Sequence, residues 1–161
     1  MLVTQTFVGI CIRNVNIEDI EAFVSLYKLS YIGLEEYAYT KNRDIRHYFK
    51  WLLKRDSDGF YVAELKDEPI GFIACDTNWT SFFDAAKVGE IHELFVHPNW
   101  RGRGIGRMML NTAIEYAKNK GRSVIELWVG EKNRKAIEFY KKNGFVEKGS
   151  WGKWIRMVKK I

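Results

Sequence analysis

At 161 residues, with 47% hydrophobic and 29% charged side chains, the chain has the size and balance of one globular domain with room for a sizeable core. No apolar run approaches the roughly 18 residues that cross a bilayer, and the opening MLVTQTFVGICIR has neither a basic lead-in nor a small-residue cleavage site, so a cytoplasmic protein is the expectation. The net charge of +6 suits an anionic partner without choosing among nucleic acid, phospholipid and an anionic cofactor, while two cysteines and three histidines at no zinc spacing argue against a metal centre.

Residues 7–14 (FVGICIRN) read as a strand, and Cys11, like Cys75 further on, as a small buried hydrophobe in a reducing compartment. The stretch VNIEDIEAFVSLYKLSYIG then sets Ile17, Ile20, Phe23 (or Val24) and Tyr27 at helical spacing with acids in the first turn. A second helix is expected over 42–55, ending before the Asp-Ser-Asp-Gly turn at 56–59. FYVAEL (60–65) and IGFIACD (70–76) read as an antiparallel pair joined by the tight turn Lys-Asp-Glu-Pro. Residues 77–87, with Trp79, Phe82 and Phe83, read as an irregular connection to a strand over 88–96 (VGEIHELFV).

A glycine-rich loop follows, and then a strongly amphipathic helix. Ile105, Met108, Met109, Thr112, Ala113 and Tyr116 share one face, and Gly121 closes the helix. SVIELWV (123–129) is a strand, 133–142 a helix stopped by Asn-Gly, and FVEKGSW with KWIRMVKK a closing hairpin. The expected order is β-α-α-β-β-β-α-β-α-β-β, an α/β fold with a single, mixed, mostly antiparallel sheet in one domain spanning 1–161.

The loop VHPNWRGRGIGR carries the functional argument. A strand that runs through glycines into a helix aims the helix's free N–H groups, and the positive end of its dipole, at whatever lies ahead. Glycines let the backbone approach an anion, and arginines add charge. The spacing is not that of a P-loop, and Met109 stands where a dinucleotide fingerprint needs its third glycine. A turn that binds nothing is the bland alternative, at the entropic cost of three glycines in five residues.

Arg101-x-x-Gly104-x-Gly106, preceded by Leu94-Phe95-Val96-His97-Pro98, resembles the acyl-CoA pyrophosphate motif of the GNAT superfamily of N-acetyltransferases. The segment from Asn133 through Ala136, Phe139 and Tyr140 to Gly144-Phe145 is similar to the family's Asn-x-x-Ala-x-x-Phe-Tyr-x-x-x-Gly-Phe. The detailed likeness covers residues 88–146, and the element order extends it to nearly the whole chain. The resemblance implies the GNAT fold and acetyl-CoA as acetyl donor, with no metal. Leu94, Phe95 and Val96 would bond the pantetheine arm through their backbone, and Gly102, Arg103, Gly104, Ile105, Gly106 and Arg107 would cradle the pyrophosphate beside Arg101. Asn133 would reach the cofactor arm, or cap a helix, or do both. An N–H at or near Phe95 would polarise the carbonyl.

The resemblance makes Tyr140 the acid that protonates the departing sulfur and a cofactor contact; the bland alternative is a core aromatic. Glu90 falls where several protein-lysine acetyltransferases carry a catalytic carboxylate and His92 where polyamine acetyltransferases do. Strand alternation puts these two on one face and Glu93 on the other. The resemblance makes Glu90, acting through water, the expected base; the bland alternatives are a solvated carboxylate for Glu90 and a satisfied polar strand residue for His92. Trp128 stands where ribosomal-protein N-terminal acetyltransferases have a glutamate. Tyr31, Tyr37, Tyr39, Trp79, Phe82, Phe83 and Trp151 either wall the acceptor cleft or pack as core, and Glu35 and Glu36 either attract a cationic amine or form an exposed face.

The expected function is acetyl transfer to a primary amine (small amine, polyamine, or peptide or protein amine) by direct attack, since no cysteine lies in the matched motifs. The alternative is a GNAT-fold domain that binds acyl-CoA without catalysis. Neither nucleic acid nor membrane is an expected partner, and a monomer or a homodimer pairing through WGKWIRMVKKI are both open.

Overall fold

The computed structural model describes residues 4–7 and 9–161. Met1–Val3, part of the stretch read for a leader, and Val8 of the first expected strand lie outside the described residues.

The first expected strand is a hairpin. β1 (Thr4–Phe7) pairs antiparallel with β2 (Ile10–Asn14), Phe7 opposite Ile10, around a turn at Gly9. Asn16 caps the short turn that leads into α1 (Ile20–Ser30), its side chain accepting the Glu18 N–H. α2 (Asn42–Arg55) follows, then β3 (Phe60–Leu65) and β4 (Glu68–Thr80). Lys66 and Asp67 both take positive φ, 50° and 64°, in the two-residue turn that suits the twist of a hairpin.

β4 runs on through Thr80, beyond the expected end at 76, and only a short loop separates it from β5 (Lys87–Val96). Thr77, Asn78 and Thr80 are polar and only Trp79 is apolar, so residues 77–80 carry no strand alternation. α3 (Ile105–Asn119), β6 (Val124–Gly130), α4 (Arg134–Lys142), β7 (Val146–Trp151) and β8 (Trp154–Lys160) complete the chain.

The sheet has eight strands in the order β1-β2-β3-β4-β5-β6-β8-β7. All neighbours are antiparallel except β5 and β6. The last strand is therefore interior, between β6 and β7, and the free edge at that end is the exposed β7. A homodimer seam at that edge would run along Val146–Trp151, not along the final strand.

Each face of the sheet carries its own core. Phe23 of α1 stands at the centre of the α1–α2 side, 5.2–5.9 Å ring to ring from Phe49, Phe60, Phe72 and Phe95 and fully buried. On the other side Met109, Leu110 and Ala113 of α3 pack on Ile73, Ile91 and Ile125. Ile17, expected on the apolar face of the first helix, is 48% exposed because it belongs to the capping turn that precedes α1. No helix among the described residues is long and apolar enough to cross a membrane.

Candidate active site

The β5–β6 ladder is short. It pairs only Gly89, Glu90 and Ile91 with Ile125, Glu126 and Leu127, and beyond them the strands diverge. The gap is a pocket with His92, Glu93 and Leu94 on the β5 wall and Trp128, Val129 and Gly130 on the β6 wall. Tyr31 and Tyr37 close one side, Trp154 of β8 another, and Asn133, Ala136 and Tyr140 of α4 the third. Gly130 is required there: a Cβ would sit 2.5 Å from the Tyr37 ring. Tyr37 is fixed further by its hydroxyl, which accepts the Lys132 N–H at 3.0 Å.

The glycine loop lies at the end of β5. Gly102 and Gly104 adopt φ of 75° and 84°, a left-handed conformation that L side chains rarely hold, and a Cβ at either would meet nothing within 4 Å. Gly104 is the N-cap of α3 and offers no side chain to the helix end. The Met108 N–H bonds the Gly104 carbonyl at 3.0 Å, so the N–H groups of 105–107 project ahead of the helix. Around them Arg101, Arg103 and Arg107 are exposed, with the Arg103 guanidinium 4.7 Å from the Trp100 ring. Arg101 also fastens the loop to its surroundings, donating to the Val96 carbonyl (3.0 Å) and the Ser30 carbonyl (3.5 Å). This donor set fits a diphosphate: open backbone, oriented amides and cations. Leu94–Val96 are paired with Ile73–Gly71 on one edge, while the ladder to β6 has already ended, which leaves room for an extended arm alongside.

The largest departure from sequence reasoning is at Glu93. Ala74 lies opposite Glu93 but Cys75 opposite Ile91, so His92 is an extra residue, a β-bulge. The bulge resets the alternation and turns Glu93 to the same side as His92, toward α1 and α2. There Tyr31 donates a hydrogen bond to one carboxylate oxygen and Tyr48 to the other, at 2.8 Å in the second case. Burial pushes the Glu93 carboxyl up to about 7, against the pull of the two hydroxyls. A single acid lodged in ELFV, just ahead of the motif, and tyrosines at 31 and 48 were the available signals; nothing in the sequence disclosed the bulge.

Glu90, expected as the base, is not in the pocket lining. It is 3% exposed and lies opposite Glu126, with its Oε2 buried and without a hydrogen-bond partner among the described residues. Burial and the Glu126 carboxylate push it up to about 11, so it holds its proton. Glu126, despite its burial, is held below the ordinary carboxylate range by the protonated Glu90 beside it and by hydrogen bonds from Arg156 (2.6 Å) and Ser81 (2.8 Å). A carboxyl locked in this pair has neither the access nor the charge to take a proton from a substrate. His92 donates from Nε2 to Asp76 (2.9 Å), which also takes the Arg55 Nε–H at 2.7 Å and is lowered to about 2 against its burial.

Tyr140 lines the pocket and is buried against Phe139 and Phe145. Burial, and then the nearby Glu93 charge, raise its phenol, so the hydroxyl keeps its proton. Asn133 lines the pocket too and caps α4, accepting the Ala136 N–H at 3.3 Å. Of the aromatics expected at an acceptor cleft, Tyr31 and Tyr37 line the pocket, Trp79, Phe82 and Phe83 lie beyond it, and Tyr39 and Trp151 are exposed. Glu36 forms a 3.5 Å ion pair with Lys132, and the Glu35 carboxylate accepts the Gly33 N–H at 2.9 Å.

The sequence profile of the acetyltransferase (GNAT) family matches residues 20–145. The uncharacterized N-acetyltransferase of Methanocaldococcus jannaschii is 54% identical over 150 residues, which are 93% of this chain and 66% of that protein. The chain thus spans about two thirds of that relative's length. A solved structure from Pyrococcus horikoshii superposes with a TM-score of 0.85 at 40% identity, covering 94% of this chain and 98% of the other. The PaiA N-acetyltransferase of Thermoplasma acidophilum, solved in complex with coenzyme A, shares the fold with a TM-score of 0.80 at 24% identity over 94% of this chain and 99% of its own. A profile match of this breadth, joined to a relative more than half identical over nearly the whole chain, means that the chain belongs to the GNAT acetyltransferase family.

Proposed function

We propose that the chain transfers an acetyl group from acetyl-CoA to a primary amine by direct attack within a ternary complex. One observation carries the reading: a buried carboxylate tuned to about 7 and a protonated buried phenol share a pocket that adjoins an anion cradle. Bound acetyl-CoA supplies the thioester; the chain supplies position and protons. The amides of 102–107 with Arg101, Arg103 and Arg107 hold the diphosphate, and the Leu94–Val96 backbone and Asn133 hold the arm.

Glu93 replaces Glu90 as the base in this reading. A general base works best when its pKa lies near the operating pH, and Glu93 accepts the amine proton at a carboxylate oxygen while Tyr31 and Tyr48 keep that group in place. Tyr140 holds its proton at Oη for the sulfur that departs. The raised phenol suits that task, since a donor must still be protonated at the moment of transfer. Two unpaired cysteines, Cys75 buried, fit a reducing cytoplasm.

The test begins with thermal stabilisation by acetyl-CoA, desulfo-CoA and ATP at matched concentrations. A ligand of the folded state alone adds about 2.7 kcal/mol at 100 times its dissociation constant. Both CoA compounds should raise the midpoint and ATP should not, and Gly104→Asp should abolish the rise by straining a φ of 84° and adding negative charge. No rise with either CoA compound would remove the foundation of the reading.

A further inference from the structure

The two walls of the pocket each end in an aromatic ring, and both rings continue into a series outside it. On the β5 wall the His92 imidazole is wedged between Trp51 of α2 and Trp79 of β4, 4.9 Å from each centroid. Trp79 meets Phe82 at 6.2 Å. On the β6 wall Trp128 meets Phe83 at 5.7 Å. Since Phe82 and Phe83 are chain neighbours, the rings form an arc that leaves the pocket at His92 and returns to it at Trp128.

The exposed part of this arc is held in place. Phe82 is 84% and Phe83 54% exposed, on the β4–β5 loop of residues 81–86. The Ser81 N–H bonds the Ala86 carbonyl at 2.9 Å, and the Ser81 hydroxyl donates to buried Glu126 while accepting the Phe83 N–H at 3.2 Å. Arg156 pairs with Asp84 at 2.9 Å and lies 4.8 Å from the Phe83 ring. A short loop tied this closely to the buried Glu126–Arg156 pair presents two large apolar rings to water. Covering such a ring removes apolar surface from water, which is favourable.

The charges along the arc select against a polycation. Arg55 stacks 5.4 Å from Trp79, and Arg156 lies beneath Phe83. The acids beside them, Asp76 and Asp84, are engaged by Arg55 and Arg156. A second ammonium on the acceptor would meet cations there and no uncommitted carboxylate among the described residues of the arc.

We propose that the arc is the subsite for the body of the acceptor, which is a monoamine carried on an aromatic or large apolar group. The amine reaches Glu93 between His92 and Trp128, and its body lies against Trp79, Phe83 and Trp128. This rests on the acetyl-transfer reading of the pocket. Either a free arylalkylamine or a polypeptide N-terminus with an aromatic first residue supplies that chemistry.

The experiment has a binding arm and a turnover arm. Tryptophan fluorescence of the CoA-saturated protein is titrated with phenethylamine, phenylalanyl-alanine amide, ethylamine and spermidine, and the same four are offered with acetyl-CoA. The better aromatic probe should bind at least tenfold more tightly than ethylamine and spermidine, with a matching advantage in kcat/KM. Which of the two leads identifies the source of the amine. In a Phe82→Ala/Phe83→Ala protein the aromatic-to-ethylamine ratio should fall to within threefold of unity, and Phe83→Leu should keep part of it; both sites are exposed, so folding is not at stake. Equal binding of the aromatic probes and ethylamine, a preference for spermidine, or a ratio untouched in the double variant overturns the proposal. Should no amine be acetylated, the transfer reading fails while the fluorescence arm still decides this one.

Discussion

Glu90→Gln tests the proton that the buried carboxyl pair retains. In the unfolded chain the Glu90 carboxyl ionises near the ordinary 4.5, whereas in the folded chain it stays protonated up to about 11. The folded state therefore binds the extra proton over that whole interval. The associated stability is fully present below 4.5 and is lost progressively as pH rises toward 11, at about 1.4 kcal/mol per pH unit. By pH 7 the loss reaches about 3 kcal/mol, a ceiling because Arg156 lies close enough to relieve an ionised Glu90. A glutamine keeps the shape and a donor toward Glu126 but has no proton to retain. The variant should match the wild type near pH 4.5 and exceed it increasingly above, by up to about 6–12 °C in midpoint at pH 7 for a chain of this size. Urea and thermal melts at pH 5, 7 and 9 measure this. Parallel pH curves for the two proteins, or a variant less stable at pH 9, would refute the account of a proton retained on Glu90.

Further outcomes follow from the pocket and the core. Glu93→Gln should lower kcat/KM by about 10²–10⁴ and leave stabilisation by CoA intact. In the wild type kcat/KM should rise with pH through about 7, as Glu93 loses its proton, and steady-state rates should show that this limb is gone from the variant. Tyr140→Phe should cut kcat at least tenfold with an unchanged CoA-induced midpoint shift, which separates a catalyst from a protein that only binds acyl-CoA. Phe23→Ala, at the centre of the α1–α2 core, should cost about 3–5 kcal/mol in denaturant melts.

The glycine–arginine loop and the Asn133–Phe145 segment were legible because their chemistry is local: glycine torsions, helix ends and residue spacing are all written in consecutive residues. Helices α2, α3 and α4 announced themselves by their period and their stops. What escaped depends on pairing between distant segments. The bulge at His92 is defined only against Ala74 and Cys75, so strict alternation sent Glu93 to the wrong face, while Glu90 was named by its position in the family resemblance. The Glu90–Glu126 pair needed the β5–β6 register, and the interior position of β8 needed the order of the whole sheet.

The three-pair ladder between β5 and β6 has a mechanical meaning. It is a seam between two antiparallel half-sheets, β1 to β5 on one side and β6, β8 and β7 on the other. A pocket cut into a continuous ladder would break backbone bonds to make room; here the room comes from letting the halves diverge past Leu127, so width at the mouth is set by the angle at the seam. Glu90 and Glu126 lie opposite one another in that ladder, so the buried carboxyl pair stands where the two halves part.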